Sequence, residues 1–249
     1  MSPSLQPGGR PSVVLFDMDG LLLDTEGAYT VAQQRILDRF GRKFTWELKA
    51  KMMGRQALDA ARVLCEDLQL TPEEITPEQF LVERDALLQE AFADAPLMPG
   101  AERLVRHLAA CGVPMAVATG SHAAAFKLKT SKHGELFSLF HHVVTGDMVA
   151  RAKPNPEIFI KAAAGFTDPP APPAAPGAVL VFEDAPNGVE AALAGGMRVV
   201  MAPYPGLPQE HVAGCGATQV LPSLEAFNPE EWGLPPFPAA TATAAAAPS

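Results

Sequence analysis

The sequence predicts an α/β protein with a doubly wound, Rossmann-like parallel-sheet core and an inserted all-helical cap subdomain. Two observations lead to this prediction. Short aliphatic runs alternate along the chain with helical patterns, as in strands joined by helical crossovers. The interval 25–96 has helical patterns and no convincing strand. The chain has 249 residues, 48% of them hydrophobic, which is enough for a core domain and a smaller insertion.

Five β-branched or aliphatic runs predict the core strands, and a weaker sixth run predicts an edge strand. These runs cover residues 13–16, 114–118, 143–145, 179–182 and 198–201, with 218–221 as the weaker one. The predicted core therefore comprises residues 12–24 and 97–234, interrupted by the cap.

Helix-start signals and a hinge define the predicted cap. Residues 76–79 combine an N-cap threonine, a proline at the first helical position and an amide at the third, so a helix begins there and runs to about Phe92. Residues 71–74 carry the same kind of signal. Residues 97–100, Leu-Met-Pro-Gly, predict the return hinge into the core, where a helix over 101–110 follows.

Three segments are predicted to lie outside regular structure. Residues 1–11 are rich in Pro and Gly and predict a flexible N-terminus. The Pro and Ala stretch at 168–177 predicts an extended surface loop. Residues 235–249 consist mostly of Pro, Ala and Thr and predict a disordered tail.

The composition restricts the partners. A formal net charge of -9 argues against a nucleic-acid backbone or an anionic membrane as the main partner. We expect a small-molecule substrate, and no obligate protein partner is evident. Three widely spaced cysteines favour a reducing compartment, and no apolar run approaches the roughly 20 residues of a membrane span. The expected location is cytoplasmic, with organelle import left open because the N-terminal segment contains serine and arginine.

Residues able to carry chemistry follow the predicted strands. In a doubly wound sheet, ligands bind beyond the carboxyl ends of the strands, so these residues are expected to share one crevice. They are Asp17 and Asp19 after the first strand, Thr119, Gly120 and Ser121 after the second, Lys153 beyond the third, and Glu183 and Asp184 after the fourth.

This set suits phosphoryl transfer through an aspartyl-phosphate. Asp17 would attack phosphorus, and Lys153 would neutralise the nucleophile and a phosphate oxygen. Asp19 would protonate the leaving alkoxide and then deprotonate water. Residues 119–121 would bind the phosphate oxygens. The expected cofactor is Mg²⁺, held by Asp17, the backbone carbonyl of Asp19, Asp184 and, directly or through water, Glu183.

The four motifs, in this order, resemble those of the haloacid-dehalogenase-like (HAD) phosphohydrolase superfamily. They are Asp-x-Asp-Gly at 17–20, Thr119, Lys153-Pro154 and the acidic pair Glu183-Asp184, and the similarity covers roughly residues 12–232. Longer matches at 16–26, 97–102, 137–140 and 181–192 resemble the pseudouridine 5′-phosphatase branch, to which plant and fungal glycerol-phosphate phosphatases lie close. The resemblance implies a helical cap after the first motif, and Asp19 favours a phosphatase or a phosphomutase.

The sequence leaves the substrate and several residues open. Pseudouridine 5′-phosphate is the first expectation. The alternatives are a glycerol-phosphate or other sugar-phosphate phosphatase, a sugar phosphomutase, and a non-catalytic binding protein on the same fold. Arg55 is either a cap residue that reaches the substrate or its phosphate, or a solvated surface arginine. Asp24 and Thr25 either contact substrate near the hinge or cap the first cap helix.

Overall fold

A computed structural model of the protein describes residues 9–52, 57–167, 171, 173 and 175–238. Within them six strands form one sheet: β1 (Val13–Phe16), β2 (Met115–Ala118), β3 (His142–Val144), β4 (Val179–Glu183), β5 (Arg198–Met201) and β6 (Gln219–Val220). Their order across the sheet is β3-β2-β1-β4-β5-β6, and neighbouring strands are parallel. The predicted doubly wound sheet is confirmed, and each predicted run overlaps an observed strand.

The central strands are buried on both faces, which explains why their sequences are nearly continuous apolar runs. Val14 and Phe16 of β1 pack in one hydrophobic cluster, and Val13 and Leu15 pack in the cluster on the opposite face. Phe16 pairs with Phe182 in the adjacent strand β4. Strands β1 and β4 therefore end side by side, at the point where the strand order reverses.

Four of the α-helices between β1 and β2 precede residue 97, and we call them the cap: α1 (Thr25–Leu37), α2 (Trp46–Met52), α3 (Ala57–Asp67) and α4 (Pro77–Ala93). They pack around a hydrophobic cluster of their own that includes Leu37, Leu64 and Phe80. No strand occurs among the residues of this interval that the structure covers. Residues 53–56, and with them the candidate substrate residue Arg55, lie outside the described residues.

One of the two predicted helix starts in the cap is confirmed. Thr76 caps α4 through a reciprocal capping box with Gln79, as predicted. Thr71 makes the corresponding contact with Glu74, but the segment forms only a turn. The reason is Pro77. A proline favours an extended backbone at the residue before it, here Thr76, so a helix that began at Thr71 could not continue past Thr76.

The two chain segments that join the cap to the core run antiparallel to each other. Leu23 and Leu97 form an isolated bridge, and the Met98 N–H donates to the Leu22 carbonyl at 2.9 Å. The Asp24 N–H donates to the Pro96 carbonyl, also at 2.9 Å. The predicted hinge segments therefore leave the core as a hydrogen-bonded pair.

The remaining helices cover the sheet. They are α5 (Ala101–Ala110), α6 (Ala123–Lys129), α7 (Gly134–Phe137), α8 (Glu157–Ala164), α9 (Pro186–Ala194) and α10 (Gln209–Val212). Helix α5 begins where the sequence predicts, and α6 follows the Thr119-Gly120-Ser121 loop at the end of β2. In the described part of the chain, no helix is long and apolar enough to cross a membrane.

The predicted terminal segments differ from the structure at their inner ends. Residues 1–8 and 239–249 lie outside the described residues, as do most of residues 168–174. The carbonyl of Gly9, however, accepts a hydrogen bond from Arg198. At the other end, the Pro235 carbonyl contacts the His107 ring nitrogen, and Phe237 packs against His107 and Arg103. The proposed tail boundary at 235 is therefore too early, because an apolar ring anchors the chain to α5.

Candidate active site

The carboxyl ends of β1, β2 and β4 surround the ammonium group of Lys153. Its Nζ lies 2.6 Å from Asp17 Oδ1, 2.7 Å from Glu183 Oε1 and 3.3 Å from the Ala118 carbonyl. Lys153, Asp17 and Glu183 have side chains that are 10%, 7% and 2% exposed. Residues separated by more than a hundred positions therefore form one buried charge cluster, as the strand-end argument predicts.

The acidic cluster has the donor chemistry of a divalent cation site. One oxygen from each of Asp17, Glu183 and Asp184 can lie within 4.8 Å of the others. Gly20 adopts a positive φ of 80°, and a Cβ there would overlap the Asp184 carboxylate. A Cβ on Gly188 would likewise overlap the Glu183 carboxylate. Two glycines thus leave room for the acidic pair, and these buried carboxylates fit a hard cation such as Mg²⁺.

The Glu183 carboxylate is already occupied by other donors. Oε1 accepts from Lys153, while Oε2 accepts from the N–H groups of Asp184 and Ala185 at 2.8 and 3.0 Å. This supports an indirect role for Glu183, in which it orients the lysine and the loop. Asp17 and Asp184 are the better candidates for direct coordination.

Without a cation, Asp17 and Asp184 keep their protons to a higher pH than an ordinary aspartate does. Burial raises the pKa of Asp17 to about 7, and repulsion from Glu183 and Asp19 adds to that rise against the opposing effect of Lys153. Burial also raises the pKa of Asp184, together with the charges of Glu183 and Asp17. The pKa of Lys153 is raised as well, because the attraction of Asp17 and Glu183 exceeds the effect of burial. Lys153 therefore remains charged at neutral pH.

We expect Mg²⁺ to stabilise the protein more at pH 8 than at pH 6. Without metal, the folded protein keeps the Asp17 proton up to about pH 7, whereas the unfolded chain releases it near pH 4. The free energy of unfolding of the metal-free protein therefore falls as the pH rises from 6 to 8, by about 1.4 kcal/mol from this group, or roughly 3 to 6 °C in melting temperature. Thermal melts with Mg²⁺ and with EDTA at both pH values measure the difference.

The Asp17→Asn variant should reduce this pH dependence, because it removes the titrating group. Asp59→Asn is the matched control, since Asp59 is an exposed aspartate of the cap with a side chain that is 54% exposed. An equal effect of Mg²⁺ at both pH values in the unmodified protein would contradict the assigned site.

Asp19 lies in a different environment from Asp17. Its Oδ1 accepts from Thr25 Oγ1 at 2.8 Å and from Lys129 Nζ at 2.6 Å. Its Oδ2 accepts from Ser121 Oγ at 2.8 Å and from Thr119 Oγ1 at 3.2 Å. Burial would raise the pKa of Asp19, but the Lys129 charge and the hydrogen bonds outweigh it, and the pKa is lowered. The pKa values of these two carboxyl groups, two residues apart, are therefore shifted in opposite directions.

Lys129 is the site residue that sequence reasoning missed. It is only 4% exposed and belongs to α6, where Lys127 is exposed. The available signal was helical spacing: Lys129 is three residues after Phe126, which packs against the main core cluster. A lysine on the inner face of a helix needs a buried acidic partner, and here that partner is Asp19.

The predicted phosphate loop lies at the edge of the same crevice. The Ser121 N–H donates to Thr119 Oγ1 at 3.0 Å, and this hydrogen bond stabilises the turn of the loop. Gly120 and Ser121 line the cavity, as does His122, which also caps α6 by accepting from the Ala125 N–H. Since Thr119 is fully buried and bonded to Asp19, Gly120 and Ser121 are the more accessible groups of the loop.

The two hinge residues that the sequence left open have separate contacts. Asp24 caps α1 by accepting from the Gly27 N–H at 2.8 Å. Thr25, the next residue, donates to the Asp19 carboxylate instead. Helix capping is therefore confirmed for Asp24, and Thr25 links the first turn of the cap to the site.

A cavity of about 730 Å³ lies between the cap and these strand ends. On the core side, its lining includes Asp17, Lys153 and Asp184. The cap contributes polar, acidic and apolar side chains: Glu26, Tyr29, Asp85, Leu88, Gln89 and Phe92. No basic side chain lines the cavity from the cap residues that the structure describes. The cavity is therefore basic on the core side, at Lys153, and polar, acidic and apolar on the cap side.

A family model for haloacid dehalogenase-like hydrolases matches residues 11–196, and the chain belongs to this family. It is a phosphatase of that family and acts on small phosphorylated metabolites. It is 51% identical over 240 residues to (DL)-glycerol-3-phosphatase 2 of Arabidopsis thaliana, covering 95% of this chain and 98% of the relative. It is 48% identical to a probable pseudouridine-5′-phosphatase of Drosophila melanogaster, covering 90% and 94% of the two chains.

Solved structures show the same fold. A HAD family hydrolase from Deinococcus radiodurans R1, with bound phosphate and sodium, superposes with a TM-score of 0.71 at 26% identity, covering 89% of this chain and 92% of that one. A putative β-phosphoglucomutase from Thermotoga maritima gives a TM-score of 0.68 at 25% identity, covering 84% and 94%. The family resemblance predicted from the four motifs is therefore confirmed.

Proposed function

We propose that the protein is a Mg²⁺-dependent phosphomonoesterase that works through a phosphorylated Asp17. The supporting observation is the contrast between Asp17 and Asp19. Asp17 shares a buried cluster with Lys153, Glu183 and Asp184, whereas Asp19, two residues later, is held by Thr25, Lys129 and the residue 119–121 loop. Carboxyl groups in such different environments are suited to different roles, one as nucleophile and one as acid and base.

In the proposed reaction, an Asp17 oxygen attacks phosphorus and the bond to the leaving oxygen breaks. Lys153 reduces the repulsion between the carboxylate and the phosphate. Asp19 gives a proton to the leaving alkoxide, and because its pKa is lowered in the free protein, it must first take up that proton when the phosphate anion binds. It then takes one from the water that attacks the phosphoaspartate, which releases phosphate and restores Asp17. Asp17, Asp184 and the Asp19 carbonyl would hold Mg²⁺, and Glu183 would take part indirectly. The ion would supply positive charge to the phosphate oxygens.

For the substrate, we propose a monophosphate of a small polyhydroxylated alcohol, with pseudouridine 5′-phosphate as first choice. The cavity volume is within the range that holds a nucleoside monophosphate. Tyr29 and Phe92 offer aromatic surface for a base, and Glu26 and Gln89 offer polar groups for hydroxyls. Glycerol phosphate is the second candidate, favoured by the 51% identity to the Arabidopsis glycerol-3-phosphatase.

The mutase and the non-catalytic alternatives are less well supported. A mutase handles a bisphosphate, so its cap must meet a second anion. In the described residues, the cap side of this cavity presents Glu26 and Asp85 and no lysine or arginine. A non-catalytic protein would not need Lys153 and three carboxylates in a buried cluster, since such a cluster is costly to maintain.

A phosphate-release screen tests the proposal. The panel comprises pseudouridine 5′-phosphate, glycerol 3-phosphate, hexose phosphates and nucleoside monophosphates, each with Mg²⁺ or EDTA and without a bisphosphate activator. We expect release from pseudouridine 5′-phosphate with the highest kcat/KM and loss of turnover in EDTA. The Asp17→Asn protein, purified in the same way, controls for contaminating phosphatases. Equal activity in EDTA would contradict the metal assignment, and isomerisation without phosphate release would indicate a mutase.

The cytoplasm remains the expected compartment on the sequence arguments. The named location of one relative, (DL)-glycerol-3-phosphatase 1, mitochondrial, of Arabidopsis thaliana, applies to that protein. That relative is 51% identical to this chain. The match covers 92% of this chain and 76% of the relative. Imaging the full chain, tagged at its C-terminus, tests the expectation.

A further inference from the structure

Lys129 is a buried cation that lies outside the four motifs of the site. Its Nζ is 2.6 Å from Asp19 Oδ1 and 2.9 Å from Ser121 Oγ. Its side chain is 5% exposed, and Asp19 is the acidic group that pairs with it among the described residues. Removing a lysine from water is unfavourable unless it gains such partners, so the contact with Asp19 explains why the side chain points inwards.

The cap covers this ammonium group. The ring of Phe92, near the end of α4, has its centroid 4.3 Å from Lys129 Nζ. The neighbouring Leu128 packs against a cluster that joins α1 to α4 and contains Ala32, Leu88 and Phe92. Helix α6 of the core therefore meets α4 of the cap at Lys129. A cation over an aromatic face that excludes water is an attractive contact.

The four donors to Asp19 are divided between its two oxygens. Oδ2 takes Thr119 and Ser121, which belong to the core loop. Oδ1 takes Thr25, the first residue of the cap, and Lys129, which the cap covers. One oxygen is thus fixed by the core alone, and the other is fixed through groups that depend on where the cap lies.

We propose that Lys129 is a positioning residue for Asp19 and that it aligns the carboxylate only while the cap lies against α6. The inference rests on the proposed function, in which Asp19 transfers protons. Lys129 makes no proton transfer itself. With the cap displaced, Phe92 would leave the ammonium and Thr25 would move with α1, so the Oδ1 contacts would loosen. Proton transfer would then be limited to the closed, water-excluding state.

The two chemical steps depend differently on Asp19, which makes the proposal testable. In the first step, the phosphorus–oxygen bond to the leaving group breaks as the bond to Asp17 forms, and an alkoxide needs the Asp19 proton. A p-nitrophenolate ion leaves without one. In the second step, water forms a bond to phosphorus, the bond to Asp17 breaks, and the water proton passes to Asp19 for every substrate. Misaligning Asp19 should therefore allow p-nitrophenyl phosphate to form the phosphoaspartate while its hydrolysis becomes slow.

The test is rapid-mixing kinetics of the full-length Lys129→Met protein, with Mg²⁺, on p-nitrophenyl phosphate and on glycerol 3-phosphate. We expect kcat for the alkyl phosphate to fall about 100-fold, with KM changed less than about threefold. With p-nitrophenyl phosphate we expect a burst approaching one nitrophenolate per active site, followed by slow turnover. Lys127→Met, on the exposed face of the same helix, is the matched control and should behave as the unmodified protein.

Other results would overturn the proposal. If KM rises and inorganic phosphate binds more weakly while kcat is unchanged, Lys129 is a phosphate ligand. If both substrates slow equally without a burst, or if nothing changes, Lys129 does not position Asp19. Should Lys129→Met not fold, Phe92→Leu replaces it. A burst of nitrophenolate, smaller than the one expected of Lys129→Met, supports the link to the cap, and kinetics equal to those of the unmodified protein contradict it. Absence of phosphate release by the unmodified protein would instead count against the proposed function.

Discussion

Replacing Asp17 with Asn is expected to lower kcat by at least about 10⁴-fold, the scale seen when a covalent nucleophile is removed. The amide has nearly the shape of the carboxylate, and its oxygen can still accept the hydrogen bond from Lys153 that Asp17 Oδ1 accepts now. It is, however, a poor nucleophile towards phosphorus. Burial raises the pKa of Asp17, so the metal-free variant should be no less stable than the unmodified protein at pH 8. Steady-state phosphate release and thermal melts measure the two effects.

Asp59→Asn is the control, because Asp59 pairs with Arg62 on the cap surface. It should leave kcat unchanged. Mass spectrometry after acid quenching adds a direct test, since the unmodified protein should carry phosphate on the peptide containing Asp17 and the Asp17→Asn protein should not. Hydrolysis by Asp17→Asn at a rate close to that of the unmodified protein would show that another group attacks phosphorus.

The sheet was predictable because its strands are buried on both faces. Parallel strands with helices on either side need continuous apolar runs such as 13–16 and 179–182, and helical segments separate these runs along the chain. The main site followed from the same logic, since residues at strand ends meet wherever the order reverses. Lys153 lies far from Asp17 in sequence, yet the strand-end argument predicts their contact.

Features that depend on packing between helices were missed, because the sequence carries only weak signals of them. Lys129 has no motif around it, and its role becomes visible only when α6 lies beneath α4 and beside Asp19. The anchoring of Phe237 on α5 was missed because the composition around it is typical of disorder, whereas one aromatic ring with Arg103 and His107 as partners is enough to fix the chain. Choice of substrate depends on the cap lining in the same way, and cavity shape is not a linear property of sequence.

Replacing Lys153 with Met is expected to affect activity and stability together. Three carboxylates, Asp17, Glu183 and Asp184, share one buried cluster, and Lys153 is within hydrogen-bond distance of two of them. Breaking a buried pair by removing one partner typically costs about 3 to 5 kcal/mol, because the remaining charges lack compensation. We expect a loss of that order in the free energy of unfolding of the metal-free protein at pH 8, and a fall of at least about 10³-fold in kcat.

Two conditions that restore stability would distinguish the loss of charge compensation from general damage to the core. Lower pH should restore stability, since protonation of Asp17 and Asp184 removes the uncompensated charge, and both carboxyl groups already have a raised pKa. Mg²⁺ should restore stability at pH 8 as well, because a cation replaces the missing ammonium among the carboxylates. Neither should restore kcat, since the phosphate oxygens would still lack the lysine.

Lys161→Met provides the matched comparison, because Lys161 belongs to α8, is exposed, and donates to the Met148 carbonyl rather than to an acid. It should leave kcat unchanged and alter stability only slightly. Denaturant unfolding of the variants, with Mg²⁺ and with EDTA at both pH values, yields the required free energies. If Lys153→Met were equally destabilised under all four conditions, loss of the contact between the Lys153 ammonium group and the Phe159 ring would explain the result, and the charge cluster would not.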